Sequence, residues 1–410
     1  MRSGVSKEGV RYAVRRSGRA VAYCALSIGC GSRNEGRYPA GIAHFVEHTL
    51  FRGTERKSAA VISSYLDRLG GELNAYTTKE EIVLHATVLK EDLGKAARLL
   101  LELATEATFP DKEIETERGV VLDEIISYKD NPAEDVYDRF EGMLFSGTPL
   151  ESPILGTQAS VKKITPEMLR RFVREQFVPE KMAFTVVADI DEAKLEKQVL
   201  KLMDRLPRHD GDKGDSALPV QATLPADAFH KVVDKRHHEV NAVIGCPAPS
   251  LYETPGRLVC AMLSGILGGP ASNSLLNKEL REKRGWVYGI ECSYTQYADS
   301  GILAIAFGCD KPNLDACLKS IEAILARLRD YPLTDRQLKA YRKQLLGQLA
   351  ISSESGEAQC LSMGKSMLSW GKVLSSEETR RLLEAITPDQ IQAMARRLFA
   401  PDRLSSLIYL

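Results

Sequence analysis

Apolar residues along the chain follow two spacings, and each spacing predicts a different element. Continuous or alternating apolar runs predict strands at Ala20–Ile28, Glu72–Thr78, Ile82–Val88, Val240–Cys246 and Ile302–Cys309. Apolar residues three and four apart predict helices at Lys90–Thr105, Asp111–Tyr128, Ala133–Phe145, Asn313–Arg329 and Thr334–Leu349. Strands and helices do not alternate strictly, which favours an α+β fold of mostly antiparallel sheets packed with helices over a doubly wound fold.

A repeat divides this pattern into two halves. Thr165-Pro166 opens one helical pattern and Thr387-Pro388 opens another, and the prolines that mark their exits, Pro179 and Pro401, share the same offset of 222 residues. Thr followed by Pro is typical of a helix N-cap and first helical position. We therefore predict two homologous domains, 1–206 and 228–410. The stretch 207–227 is rich in Pro, Gly and Asp without periodicity, and it predicts a linker.

The amino-acid composition excludes some classes of protein but does not indicate a function. The 410 residues carry 55 Lys+Arg and 55 Asp+Glu, and this zero net charge argues against a general nucleic-acid binder. With 44% hydrophobic residues and no apolar run near the ~20 residues of a membrane helix, the chain is expected to be soluble and without a membrane span. No signal-peptide core precedes the first predicted strand, so a cytoplasmic location is expected.

The segment His44-Phe45-Val46-Glu47-His48 carries the chemistry. On a helix, residues four apart share a face, so His44 and His48 could hold one metal ion. Glu47 lies between them, positioned to accept a proton from water. The order His-x-x-Glu-His is the reverse of that in most zinc proteases and is typical of the inverted class. The alternative is two packed histidines with an incidental glutamate.

A hydrolytic zinc site needs a third protein ligand and an open fourth position. The predicted helix Asp111–Tyr128 offers five acidic candidates: Glu113, Glu115, Glu117, Asp123 and Glu124. Glu117 and Glu124 are seven apart, hence on one face beside the apolar stripe, where a carboxylate is costly unless it is paired or bound to metal. Spacing alone does not decide between these two.

Five segments of the first half resemble the insulinase/pitrilysin family of zinc metallopeptidases, which includes the mitochondrial processing peptidases and many bacterial proteases: Gly29–Arg33, Gly41–Thr54, Gly70–Thr77, Glu117–Glu124 and Ile154–Thr157. The resemblance implies that Glu124, 76 positions beyond His48, is the third zinc ligand. It implies that Glu117 does not bind zinc itself but lies behind the ligands and contacts one of them. It also implies that an edge strand binds extended substrate through Leu73, Asn74, Ala75, Tyr76 and Thr77.

The second half resembles the same family at Leu280–Tyr288, where the family's Arg and Tyr seven apart correspond to Arg281 and Tyr288. Both side chains are suitable donors to an oxyanion or to substrate carbonyls. Without the resemblance, a surface Arg and a strand Tyr would be the preferred interpretation.

The resemblance also implies an assembly and an activity. Family members form clam-shell chambers of four homologous domains, so this half-length bacterial-type chain would be half a chamber. The expected activity is zinc-dependent endopeptidase action on short unstructured peptides inside a homodimer, with a heterodimer of homologues as the other form. The alternative is a non-catalytic core subunit that pairs with a homologous peptidase. A purely structural zinc site fits less well, because three ligands beside a glutamate describe an open site.

Overall fold

The computed structural model describes residues 1–204, 206, 227–236 and 238–410 and shows two β-sheets with helices packed on them. The described strands are β1 Arg2–Val5, β2 Arg11–Arg16, β3 Val21–Ile28, β4 Glu72–Thr77, β5 Ile82–Leu89, β6 Met182–Ala188, β7 His230–Val233, β8 Glu239–Pro247, β9 Val287–Gln296, β10 Gly301–Asp310 and β11 Ser405–Tyr409. The described helices are α1 Ile42–Leu50, α2 Ala59–Tyr65, α3 Leu93–Thr105, α4 Asp111–Asp130, α5 Pro132–Leu144, α6 Gln158–Val161, α7 Pro166–Gln176, α8 Glu192–Met203, α9 Gly256–Gly268, α10 Leu314–Asp330, α11 Asp335–Ser352, α12 Gly356–Trp370, α13 Ser376–Glu384 and α14 Pro388–Leu398. The elements predicted from the apolar pattern are present within a few residues of their predicted bounds.

The two sheets share an arrangement of five strands, to which the first sheet adds β1 at one edge. The first has the order β1-β2-β6-β3-β5-β4 and the second the order β7-β11-β8-β10-β9. In each sheet one pair is parallel, β2 with β6 and β7 with β11, and the other pairs are antiparallel. The predicted α+β class with mostly antiparallel sheets is therefore confirmed.

The predicted repeat marks equivalent places in the two sheets. The Thr165 hydroxyl accepts a hydrogen bond from the Met168 N–H at the start of α7, and the Thr387 hydroxyl accepts one from the Gln390 N–H at the start of α14. Each helix leads into the strand that forms the parallel pair of its sheet, β6 or β11. A side-chain cap followed by proline at the first helical position satisfies or removes the amides that have no partner within the helix.

The described residues divide into two units that are not contiguous in sequence. Unit 1 contains Met1–Ile126, the described part of 152–216, and Ala350–Ser375; unit 2 contains the remaining described residues. The boundaries 1–206 and 228–410 stay a prediction, and the linker 207–227 lies outside the described residues apart from Asp227. Within the part of the chain that the structure describes, no helix is both long and apolar enough to cross a membrane.

Each sheet is covered on one face by a helix from the other half of the sequence. In unit 1, α12 packs on β3 and β6, where Met363 and Met367 join a small core with Ala25 and Val187. In unit 2, α5 packs on β8 and β11 through residues such as Phe140. The other face of the unit 1 sheet is covered by helices that include α3, and this larger core also contains the buried face of α1.

Candidate metal centre

Helix α1 presents the two histidines on one face. Seven of its nine residues are buried, and the 3.6-residue repeat brings the rings of His44 and His48 to a centroid distance of 4.7 Å. Glu47 and His48 are only half-buried, so this face of α1 is the one open to a ligand. The helix on which the spacing argument for the two histidines depends is therefore present.

Helix α4 brings a carboxylate to the same point. The Glu124 Oε2 atom lies 3.7 Å from His44 Nε2 and 3.3 Å from His48 Nε2. Two ligands that each lie about 2.05 Å from a tetrahedral zinc are about 3.3 Å apart, so these spacings suit one ion. His44, His48 and Glu124 together offer three ligand atoms within 4.8 Å of one another. The donor set and its spacing fit zinc, with a fourth position left for water or substrate.

The charge states of two of the three ligands, His44 and Glu124, agree with metal binding. Burial, together with the nearby His48, lowers the pKa of His44 to about 4, so its imidazole is neutral near pH 7 and has a free lone pair. The hydrogen bond with His48 lowers the pKa of Glu124 despite partial burial. Burial works against protonation of His48, but hydrogen bonds to Glu124 and Glu117 outweigh it and raise its pKa.

Glu117 contacts His48 from the other side of the ring. Its side chain is 2% exposed, and its Oε2 atom lies 3.1 Å from His48 Nδ1. Its second oxygen pairs with the guanidinium of Arg52, two residues beyond the end of α1. A carboxylate on Nδ1 keeps a proton on that nitrogen and leaves Nε2 to face a metal. Sequence reasoning named Glu117 but missed Arg52. The one available indication was that a buried carboxylate such as Glu117 needs a cation nearby, and this does not say which residue supplies it.

Glu47 is held by the end of strand β4. The Thr77 hydroxyl donates a 2.6 Å hydrogen bond to Glu47 Oε2. Burial raises the pKa of Glu47, and the hydrogen bond from Thr77 opposes the rise. A carboxylate with a raised pKa is a better proton acceptor than a free one, which suits a general base. The contact with Thr77 was not anticipated from the sequence.

The segment Leu73–Thr77 lies on an edge strand, as the resemblance implies. Among the strands that the structure describes, β4 pairs with β5 alone and is the last strand of its sheet. Leu73 and Ala75 pack towards the larger core of unit 1, whereas Tyr76 packs towards α12 and Asn74 is exposed. The outer edge of β4 therefore has backbone groups available to an extended chain.

Arg281 and Tyr288 belong to unit 2, whereas the zinc motif belongs to unit 1. Arg281 lies in a short π-helix, Asn277–Glu282, and Tyr288 lies on β9, one of the two edge strands of the second sheet. Both line a cavity of about 570 Å³ within unit 2. Tyr288 is 57% exposed, and its hydroxyl donates a 2.8 Å hydrogen bond to Asp310 Oδ1.

Family models match both halves of the chain. The model described as insulinase, peptidase family M16, matches residues 11–158. The model described as the peptidase M16 inactive domain matches residues 163–345. The first match contains the histidine motif, Glu117 and Glu124; the second contains Arg281 and Tyr288.

Similar proteins have related names. An uncharacterized zinc protease of Streptomyces coelicolor is 30% identical over 371 residues, 89% of this chain and 80% of that protein. An uncharacterized zinc protease of Bacillus subtilis is 30% identical over 384 residues, 93% and 91% of the two chains. The crystal structure of a protease from Helicobacter pylori shares the fold, with a TM-score of 0.92 at 21% identity over 100% of this chain and 99% of that one.

Proposed function

Since the chain belongs to the insulinase family of peptidases, family M16, we propose that it is a zinc-dependent endopeptidase that cleaves short unstructured peptides. The observation that carries the proposal is the convergence of His44, His48 and Glu124 on one point, with Glu47 beside it. Three ligands, an open position and an adjacent base are the parts of a hydrolytic zinc site.

The residues of the site divide the work of hydrolysis. His44, His48 and Glu124 would hold the zinc ion, which as a Lewis acid would polarise the scissile carbonyl and lower the pKa of water. Glu47 accepts the proton of the attacking water and passes it to the leaving amine. Thr77 orients the Glu47 carboxylate through its 2.6 Å hydrogen bond.

Strand β4 binds the substrate backbone in this proposal. An extended peptide that pairs with the free edge of β4 runs past Thr77 and hence past Glu47. Main-chain pairing binds the peptide without contacts that distinguish its side chains, so we expect little sequence preference in cleavage. Folded proteins do not offer an extended chain to such an edge and are poor substrates.

Arg281 and Tyr288 complete the site in the proposed assembly. We take the active form to be a homodimer that encloses a chamber, in which these two side chains of one subunit donate to the substrate at the zinc centre of the partner. The 57% exposure of Tyr288 and its place on an edge strand support this role, in which its hydroxyl would exchange Asp310 for the substrate.

Zinc removal tests the activity directly. We expect the purified chain to contain about one zinc per subunit and to cleave a quenched fluorescent peptide, because the three ligands suit one tetrahedral ion. A chelator should abolish cleavage, and added zinc should restore it. Bound zinc without cleavage would contradict the endopeptidase and favour the non-catalytic core subunit; cleavage that survives complete zinc removal would contradict the metal mechanism.

Mixing two inactive variants tests the shared site. In a mixed dimer of Glu47→Gln and Tyr288→Phe subunits, the Tyr288→Phe subunit keeps its Glu47, and the tyrosine that serves it comes from the other subunit. One of the two sites is then intact. An equal mixture should recover about a quarter of wild-type turnover, because about half the dimers are mixed. Turnover no higher than that of the separate variants would show that the site is not shared.

A further inference from the structure

The start of helix α1 has an unusual cap. Gly41 occupies the N-cap position with a φ of 91° and offers no side chain to the first amides of the helix. Glu35, six residues before Gly41, supplies the capping side chain instead. Its Oε1 atom accepts hydrogen bonds from the N–H groups of Gly41 (2.9 Å) and Ala43 (3.0 Å), and its Oε2 atom lies 3.1 Å from the same Gly41 nitrogen. Amides that have no partner within the helix are thus satisfied by one carboxyl group.

Glu35 is kept in the protein interior at a cost. The residue is 4% exposed, and burial raises its pKa to about 8, although the amides of Ala43 and Gly41 oppose the rise. A buried carboxyl group destabilises a fold unless its oxygens are hydrogen-bonded, and here the bonds go to the first turn of α1. The geometry therefore makes this turn depend on Glu35.

A second segment holds the same turn from another side. A Cβ atom on Gly156 would lie 2.2 Å from the Ala40 carbonyl oxygen, and one on Gly41 would lie 2.5 Å from the Leu155 carbonyl oxygen, so the two backbones touch. The Ser160 hydroxyl donates a 2.7 Å hydrogen bond to the Ala40 carbonyl. The segment Ile154–Thr157, which carries part of the family resemblance, thus packs against the start of α1.

The first turn of α1 determines where His44 lies. His44 follows Ala43 directly, whereas His48 is one turn later and has its own support in Glu117. His44 has no comparable partner, since its Nδ1 atom is buried without a hydrogen bond in the part of the chain that the structure describes. The position of its Nε2 atom, 3.7 Å from Glu124 Oε2, therefore depends on the backbone of the first turn. If that turn moves, this distance changes.

We propose that Glu35 is a positioning residue of the metal centre, which fixes the first turn of α1 and through it the imidazole of His44. The inference rests on the proposed zinc site and deepens it. Glu35 does not touch metal or substrate; it acts through the helix.

Zinc affinity of Glu35→Ala tests this role. We expect about tenfold weaker zinc binding in a competition titration with a chromophoric chelator, the lower end of the range for residues that orient metal ligands from behind. The visible spectrum of the Co²⁺-substituted protein should also shift, because it reports the ligand geometry. Glu35→Gln keeps one acceptor oxygen for the two amides and should lie between Glu35→Ala and the wild type.

Glu81→Ala is the matched control. Glu81 is also a buried glutamate of unit 1 whose pKa is raised by burial, but the charges near it are those of Lys365 on α12 and of Glu80. Both alanine variants should lose thermal stability, and only Glu35→Ala should change zinc affinity and the Co²⁺ spectrum. Equal stability losses with unchanged zinc binding in both would overturn the proposal.

Two further results separate the possible failures. If Glu35→Ala does not fold, Ser160→Ala removes one bond at the same turn and should weaken zinc binding by a smaller factor; no change in Ser160→Ala or in Glu35→Gln would overturn the proposal. A wild-type protein that binds no zinc would instead contradict the proposed function, and this inference with it.

Discussion

Replacement of Glu47 by glutamine is expected to lower kcat for peptide cleavage by about 10²- to 10⁴-fold, the range that a general base contributes. Glutamine has nearly the shape of glutamate and can still accept the 2.6 Å hydrogen bond from Thr77, but it cannot take a proton from water. Glu47 is not among the three ligands that converge on one point, so zinc content should stay at the wild-type level.

Three measurements identify the role of Glu47. Zinc per subunit and melting temperature should match the wild type, KM should change little, and kcat should fall. Glu81→Gln, at another buried glutamate of the same unit, should leave kcat unchanged. Wild-type turnover in Glu47→Gln would remove Glu47 from the mechanism, whereas loss of zinc would mean that the substitution had disturbed the ligands.

The candidate site was predictable where its geometry is local. His44, Glu47 and His48 lie on one short helix, and a spacing of four residues is enough to bring the two imidazoles together. The helical pattern that begins at Asp111 likewise put Glu117 and Glu124 on one face. These placements need only the period of the helix, which the sequence contains.

Contacts between distant segments were not predictable in this way. The pairing of Arg52 with Glu117, the hydrogen bond from Thr77 to Glu47 and the cap that Glu35 supplies to α1 all depend on how loops and elements pack. A glutamate six residues before the N-cap lies outside the usual capping positions, and no periodic pattern marks it.

The sequence also did not show which half of the chain supplies the helix that covers each sheet. An amphipathic pattern predicts α5, but it does not say which sheet receives the buried face of that helix, and α12 was not among the predicted helices. In the structure, α12 covers the sheet of the first half of the sequence and α5 the sheet of the second. The repeat predicted two related sheets, and two are present. Which helices belong to which unit can be seen only from three-dimensional contacts.

The largest expected effect on metal binding is that of Glu124→Gln. Its carboxylate lies 3.3 Å from His48 Nε2 and 3.7 Å from His44 Nε2, and it would supply the only negative charge among the three proposed ligands. Glutamine is a weak zinc ligand without that charge. We expect Glu124→Gln to lose zinc during dialysis, with an affinity loss beyond the roughly 10- to 100-fold that is typical of residues behind the ligands.

Glu117→Gln is the matched comparison, since Glu117 lies on the same face of α4 seven residues earlier. It contacts Nδ1 of His48 and pairs with Arg52, so its replacement should weaken zinc binding within that 10- to 100-fold range and leave zinc bound at micromolar concentration. Zinc affinity of the two variants, measured by competition with a chelator, decides the assignment that spacing left open. If Glu117→Gln lost more affinity than Glu124→Gln, the roles of the two glutamates would have to be exchanged, and His48 would have to bind metal through Nδ1 in place of Nε2.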